Sequence, residues 1–187
     1  GELTEIHRQK NGLLKLVVEE LADGDVKRAL SLLRHDRLIR LHPHREDARH
    51  ALVSDWFAER QHSESIMLAG TREDVRDLNL RAQAIRAKYA QVKLPMFSLN
   101  GISFRLCDRV LFGRNDQRLG VRNGTLGELT GFNPLTRTAT VRLDSGKRVF
   151  IPIDTYKKLD LGYCLTTHKA QGTTVDKAFV LWSDSMQ

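Results

Sequence analysis

The stretch Ser65-Ile66-Met67-Leu68-Ala69, closed by Gly70 and followed by Thr71 with Asp74 three residues on, most constrains the fold. The apolar run has the length of a buried strand, and Thr71 with Asp74 makes a capping-box-like helix start. Val75, Leu78, Ala82, Ile85 and Tyr89 then keep one helical face apolar to about Ala90. Strand, turn and helix are the parts of a βαβ unit, whose return strand runs parallel in the same sheet. That return is delayed: the next apolar strands of this kind are predicted at Gly162 to Thr166 and Ala178 to Trp182.

The interruption has its own pattern. From about Ser98 to Leu159, β-formers cluster at Val110 to Phe112, Gly127 to Gly131, Thr138 to Leu143 and Arg148 to Ile153, with Asn123-Gly124 and Ser145-Gly146 suited to tight turns. A small SH3-like β-barrel of about four or five strands fits this length and would close its own edges. Ahead of Ser65, Leu14, Val17, Val18 and Leu21 form one stripe on a helix from about Arg8 to Ala22. Asp25 is placed to cap a second helix with Val26, Ala29, Leu30 and Leu33 inward. Arg37 to Leu41 reads as a short strand, and Arg45 to Arg60 as a helix through Ala48, Leu52, Trp56 and Phe57.

Charge is unevenly spread. Of the net +7, residues 101–158 hold 11 basic against 5 acidic side chains, Arg105, Arg109, Arg114, Arg118, Arg122, Lys147 and Arg148 among them. Such a local cationic field attracts a polyphosphate chain, the alternative being a solvated basic face. Cys107 and Cys164 are too few for a disulfide framework, and His42, His44 and His50 complete no ligand set, so no metal is expected. No apolar run approaches a membrane span and no secretory pattern opens the chain; a bacterial cytoplasmic setting is expected.

The run Leu165-Thr166-Thr167-His168-Lys169-Ala170-Gln171-Gly172-Thr173-Thr174 gathers Thr, His, Lys and Gln donors on one turn after a strand, with Gly172 permitting close backbone approach to a ligand. The same composition suits an ordinary strand-to-helix turn. In order, however, T-x-H-K-x-Q-G-x-T resembles motif V of RecD-like superfamily 1B DNA helicases, especially the helicase part of TraA/TraI-type conjugative transfer relaxases. The segments Cys107-Asp108-Arg109-Val110-Leu111-Phe112-Gly113-Arg114-Asn115-Asp116 and Leu119-Gly120-Val121-Arg122-Asn123-Gly124-Thr125-Leu126-Gly127 resemble that family's G-D-R-V-x-F-x-R-N-D and L-G-V-x-N-G-T-x-G patterns. Cys107 stands where the family has Gly, and Thr174 where many members have a ribose-holding Glu.

The resemblance implies an α/β fold: a RecA-like (P-loop NTPase-like) parallel sheet with helices, interrupted by the SH3-like barrel. The RecA-like helicase domain 2A would be discontinuous over 1–97 and 160–187, with the barrel, 2B, at 98–159. It implies that Thr167, His168 and Lys169 contact single-stranded DNA and that Gln171 and Gly172 lie near ATP. Leu3 to Gln9 resembles the family segment ending in Arg-Gln, which makes Arg8 the arginine-finger candidate and adds Gln9 as a nucleotide contact; a guanidinium there stabilises charge spreading in phosphoryl transfer. Thr71 and Arg72 open a helix whose N–H groups suit a DNA phosphate, although Thr71 can cap that helix with no DNA present. Arg109, Arg114 and Arg122 are further DNA candidates, and Asn79 is read as making a local structural hydrogen bond.

There is no G-x-x-x-x-G-K-[ST] phosphate loop and no recognisable acidic motif for Mg²⁺. ATP and Mg²⁺ are therefore expected in a full-length parent and not on this chain alone. The expected partners are single-stranded DNA, an N-terminal RecA-like domain and relaxase domain of that parent, and other conjugation proteins. A helicase-like module that only holds DNA, and a protein-interaction domain, are the alternative functions.

Overall fold

The computed structural model describes residues 12–60, 62–90, 95–171 and 173–182. The chain forms two compact units, Gly1–His44 and Arg45–Gln187. In the first, helix α1 (Gly12–Ala22) and helix α2 (Val26–His35) form a helical hairpin burying Val17 and Ala29. Asp25 caps α2 by accepting from the Arg28 N–H at 2.9 Å. The strand expected at Arg37 to Leu41 does not form. Arg37 takes a left-handed φ of 57° and the Leu38 N–H closes back on the Leu33 carbonyl at 2.9 Å. With no strand alongside, Leu41 stays 77% exposed.

The second unit begins with α3 (Arg45–Glu59), β1 (Ser65–Ala69) and α4 (Arg72–Tyr89). The sequence pattern holds here: β1 is central in a parallel three-stranded sheet, flanked by β9 (Cys164–Thr166) and β10 (Lys177–Leu181). The two faces of β1 alternate. Met67 and Ala69 join the core containing Trp56 of α3 and Leu78 and Ala82 of α4, while Ile66 packs with Leu165, Leu111 and Leu126.

Between α4 and β9 lie a hairpin of β2 (Phe97–Leu99) and β3 (Ile102–Phe104), then β4 (Arg109–Phe112), β5 (Leu126–Asn133), β6 (Thr138–Leu143), β7 (Arg148–Pro152) and β8 (Leu159–Leu161). The last five form an antiparallel sheet in the order β7-β6-β5-β4-β8. Its inward residues, among them Val110, Phe112, Leu129, Val141 and Ile151, are fully or almost fully buried.

Two polar devices fasten these layers. Asn79, expected to bond locally, reaches across the fold: its Oδ1 accepts from the Tyr163 and Cys164 N–H groups at 2.8 and 2.9 Å, and its Nδ2 donates to the Cys164 carbonyl at 3.0 Å. β9 is the last strand of its sheet, so this buried amide satisfies backbone groups that a further strand would otherwise pair. Asp108, also buried, accepts from the Tyr163 hydroxyl (2.7 Å), Gln83 Nε2 (2.5 Å) and the Arg105 N–H (2.6 Å). Burial pushes its pKa up against the pull of those donors. Arg86 completes the joint by donating to Tyr163 Oη and the Cys107 carbonyl.

Cys107 has φ 64°, the left-handed conformation that a Gly adopts without a Cβ clash, and a reverse turn closes there through Asp108 N–H to the Arg105 carbonyl. The family's Gly at this place therefore matches the backbone, and Cys107→Gly should raise stability by about 1 kcal/mol. Asn79→Ala strips three buried backbone groups of their partner and should cost about 2–4 kcal/mol. Urea denaturation of both variants reads each sign; an unchanged Asn79→Ala midpoint would remove the amide from this role.

Candidate nucleic-acid interface

In a parallel α/β sheet, ligands gather beyond the carboxyl ends of the strands, where helix N-termini point. Ala69 and Thr166 are register partners at the ends of β1 and β9. The α4 N-terminus (Thr71, Arg72) and the 167–171 turn therefore leave from neighbouring strands at the same edge. Thr167, His168, Lys169 and Gln171 are all exposed there. The turn is closed by Ala170 N–H to the Thr166 carbonyl at 3.1 Å and Gln171 N–H to the His168 carbonyl at 3.4 Å. Ala170 faces inward against the Ile66 and Leu165 cluster, which anchors the turn while its polar side chains face solvent.

At α4, the Thr71 hydroxyl is engaged internally: it accepts from the Asp74 N–H at 3.1 Å and donates to Asp74 Oδ2 at 2.6 Å. That is the capping use foreseen for it, and Arg72 beside it is exposed. Sequence reading missed the arginines beneath. Arg45 Nη2 donates to Asp74 Oδ2 at 2.5 Å and Arg49 Nη2 to Oδ1 at 2.6 Å, so the 1% exposed carboxylate is doubly neutralised. Arg45, half exposed, adds a cation at the helix end. The i, i+4 spacing of Arg45 and Arg49 on α3 was the available signal.

The other candidates divide. Arg109 clasps Asp144 with both Nη atoms, at 2.5 and 2.7 Å, a partner that raises its pKa over the opposing effect of desolvation. Arg109 borders a cleft of about 840 Å³ that also contacts Ser65, Tyr163 and Asp176, at the amino ends of the parallel strands. The structure thus does not bring Arg109 to the 167–169 turn. Arg114 and Arg122 stand exposed on the loop between β4 and β5, Arg114 with its guanidinium 5.4 Å from the Tyr156 ring centroid. Arg8, Gln9 and Gly172 lie outside the described residues. Thr174 is exposed on the return to β10 and borders the same cleft.

Desolvation pushes the Asp74 carboxyl up, but hydrogen bonds from Thr71, Arg49 and Arg45 outweigh it and hold the group below the ordinary carboxylate range. Its contribution to stability is complete above the unfolded value of about 4 and is lost as pH falls through the lower folded value. Asp74→Asn should therefore lower the melting temperature at neutral pH and flatten its fall on acidification below about pH 4. Parallel acid limbs in the two proteins would remove Asp74 as the cause.

No family model matches the chain. It is 32% identical over 191 residues to the conjugal transfer protein TraA of Rhizobium radiobacter and 31% identical over 191 residues to that of Agrobacterium fabrum strain C58. Each match takes in the whole of this chain, which spans 17% of the length of these curated relatives. Among solved structures, the Pif1 helicase from Bacteroides in complex with ADP-AlF3 and ssDNA matches with a TM-score of 0.62 at 21% identity, over 98% of this chain and 46% of that one. Bacteroides Pif1 bound to ssDNA gives 0.61 at 22% identity, over 96% and 45%. The chain's relatives are conjugal transfer proteins, and its fold is the α/β, RecA-like fold of a Pif1 helicase.

Proposed function

We propose that this chain is the second motor domain of an ATP-dependent single-stranded DNA translocase or helicase within a RecD-like conjugative relaxase of the bacterial cytoplasm. The pairing of Ala69 with Thr166 carries this reading, because it sets the α4 N-terminus and the exposed Thr167-His168-Lys169 turn side by side on the ligand edge of the sheet. Residues 1–97 and 160–187 form the RecA-like domain 2A in this reading, and 98–159 the inserted SH3-like 2B. The antiparallel order β7-β6-β5-β4-β8 supports a small β module at that place.

The chemistry divides between two walls. The preceding RecA-like domain of the parent supplies the phosphate loop and Mg²⁺ for ATP. From this chain Arg8 reaches the γ-phosphate, where a planar guanidinium stabilises the charge that spreads in phosphoryl transfer. Gln9, Gln171 and Gly172 line the nucleotide side. Thr167, His168 and Lys169 hold the strand through donors and charge, and Arg72 with the first N–H groups of α4 binds an adjacent phosphate. Arg114 and Arg122, both without an ion pair among the described residues, add phosphate contacts on the barrel; Arg109 contributes only if it releases Asp144.

Thr174 favours a second reading: with no Glu to hold the ribose, the domain grips DNA without nucleotide turnover. The parent protein separates the two. Arg8→Ala should leave single-strand binding intact and lower DNA-stimulated ATP hydrolysis by about 10³-fold or more. The combined Thr167→Val, His168→Ala, Lys169→Ala variant should weaken binding and reduce the salt slope by about one per lost phosphate contact. A parent that binds DNA but shows no ATP hydrolysis would establish the holding module; unchanged binding in the turn variant would remove the turn from the interface.

A further inference from the structure

The five-stranded sheet presents an ordered row of charge on its outer face. Arg109 on β4 pairs in register with Glu128 on β5, Glu128 with Arg142 on β6, and Arg142 with Arg148 on β7. Register partners share a face, so four neighbouring strands about 4.8 Å apart carry Arg, Glu, Arg and Arg in line. Glu128 takes Arg142 at 3.3 Å and Asp144 takes Arg109. Among the described residues Arg148 has no ion pair, and it stands directly opposite Arg142, whose own partner is Glu128, so its charge is open to an anion from solvent. One step along β7 on the same face, Phe150 is 61% exposed opposite Thr140. It belongs to neither core cluster.

We propose that this face, centred on Phe150 and Arg148, is a second binding surface for single-stranded nucleic acid, with one base stacked on Phe150 and a flanking phosphate held by Arg148. A flat exposed ring beside the unneutralised Arg148 guanidinium suits a chain whose bases are free to leave one another; a duplex keeps its bases inside and offers the ring nothing to stack on. An acidic peptide would meet the charge but not use the ring. At its other end the row runs into the 840 Å³ cleft, bordered by Arg109, Glu128, Arg142 and Asp144, which extends the polar track beyond the sheet.

The ligand class is shared with the motor reading above, while the residues are separate from the 167–169 turn, so the two are tested side by side on the 187-residue chain. Fluorescence anisotropy with labelled oligothymidylate of about 20 nucleotides should show Phe150→Ala weakening binding about tenfold, with Phe150→Trp restoring it. Arg148→Glu should weaken binding and lower the salt slope by about one or more. Both positions are exposed, and equal melting temperatures confirm that folding is untouched. A photoreactive halogenated thymidylate should crosslink within β7. Wild-type affinity in both Phe150→Ala and Arg148→Glu, or equal affinity for blunt duplex, overturns the surface. If binding instead disappears only in the turn variant, the motor reading stands and this surface falls; loss only in the β7 variants gives the reverse.

Discussion

Asn79 lets a three-residue strand stand at the edge of the parallel sheet. β9 needs its outward N–H and C=O groups satisfied, and among the described residues no strand pairs with it on that side. A carboxamide offers both an acceptor and a donor from one side chain, which matches the two N–H groups of Tyr163 and Cys164 and the Cys164 carbonyl. Because Asn79 sits two turns into α4, the helix and the edge strand are held at fixed height relative to one another. The α4 N-terminus and the turn after Thr166 inherit that spacing, and with it any ligand site they share.

The second joint uses a buried charge where an apolar contact would bury surface equally well. Asp108 is met by Tyr163, Gln83 and the Arg105 backbone, with Arg86 nearby. Removing any one donor leaves the others around an under-satisfied carboxylate, so the network accepts one arrangement of α4, the 105–108 turn and the start of β9. Gly162 reinforces the fit. A Cβ there would lie 2.8 Å from Leu126 Cδ2 and 3.0 Å from the Val110 backbone, so the five-stranded and parallel sheets meet with no space for a side chain.

Elements with strong periodicity were legible before any coordinates. β1, α4, β4 to β7 and both return strands announced themselves through apolar spacing and turn residues, since burial on a sheet or helix face imposes that spacing directly. Cys107 was legible as a glycine-like position only through the resemblance, and its φ of 64° supplies the physical reason. Arg37 to Leu41 failed because a short apolar run alone does not provide a partner strand. Asn79 failed differently, and Gln83 drew no reading at all: both polar residues lie on the inward stripe beside Leu78 and Ala82, a signal of distant backbone partners, but those partners are 20 to 85 residues away. Local sequence carries no record of such a distance.

The basic excess of residues 101–158 also changes meaning once partners are assigned. Arg109, Arg137 and Arg142 are bound by Asp144, Asp154 and Glu128, and Lys147 turns its ammonium to the Leu119 carbonyl. Each such pair cancels most of its own field beyond a Debye length of about 8 Å. The attraction for a polyanion is therefore concentrated where exposed guanidinium groups stand without an ion pair among the described residues, at Arg114, Arg118 and Arg122 on the 113–125 loop and at Arg148 beside Phe150. A total charge predicts that such a chain favours polyanions; only the pairing pattern says on which surfaces they would rest.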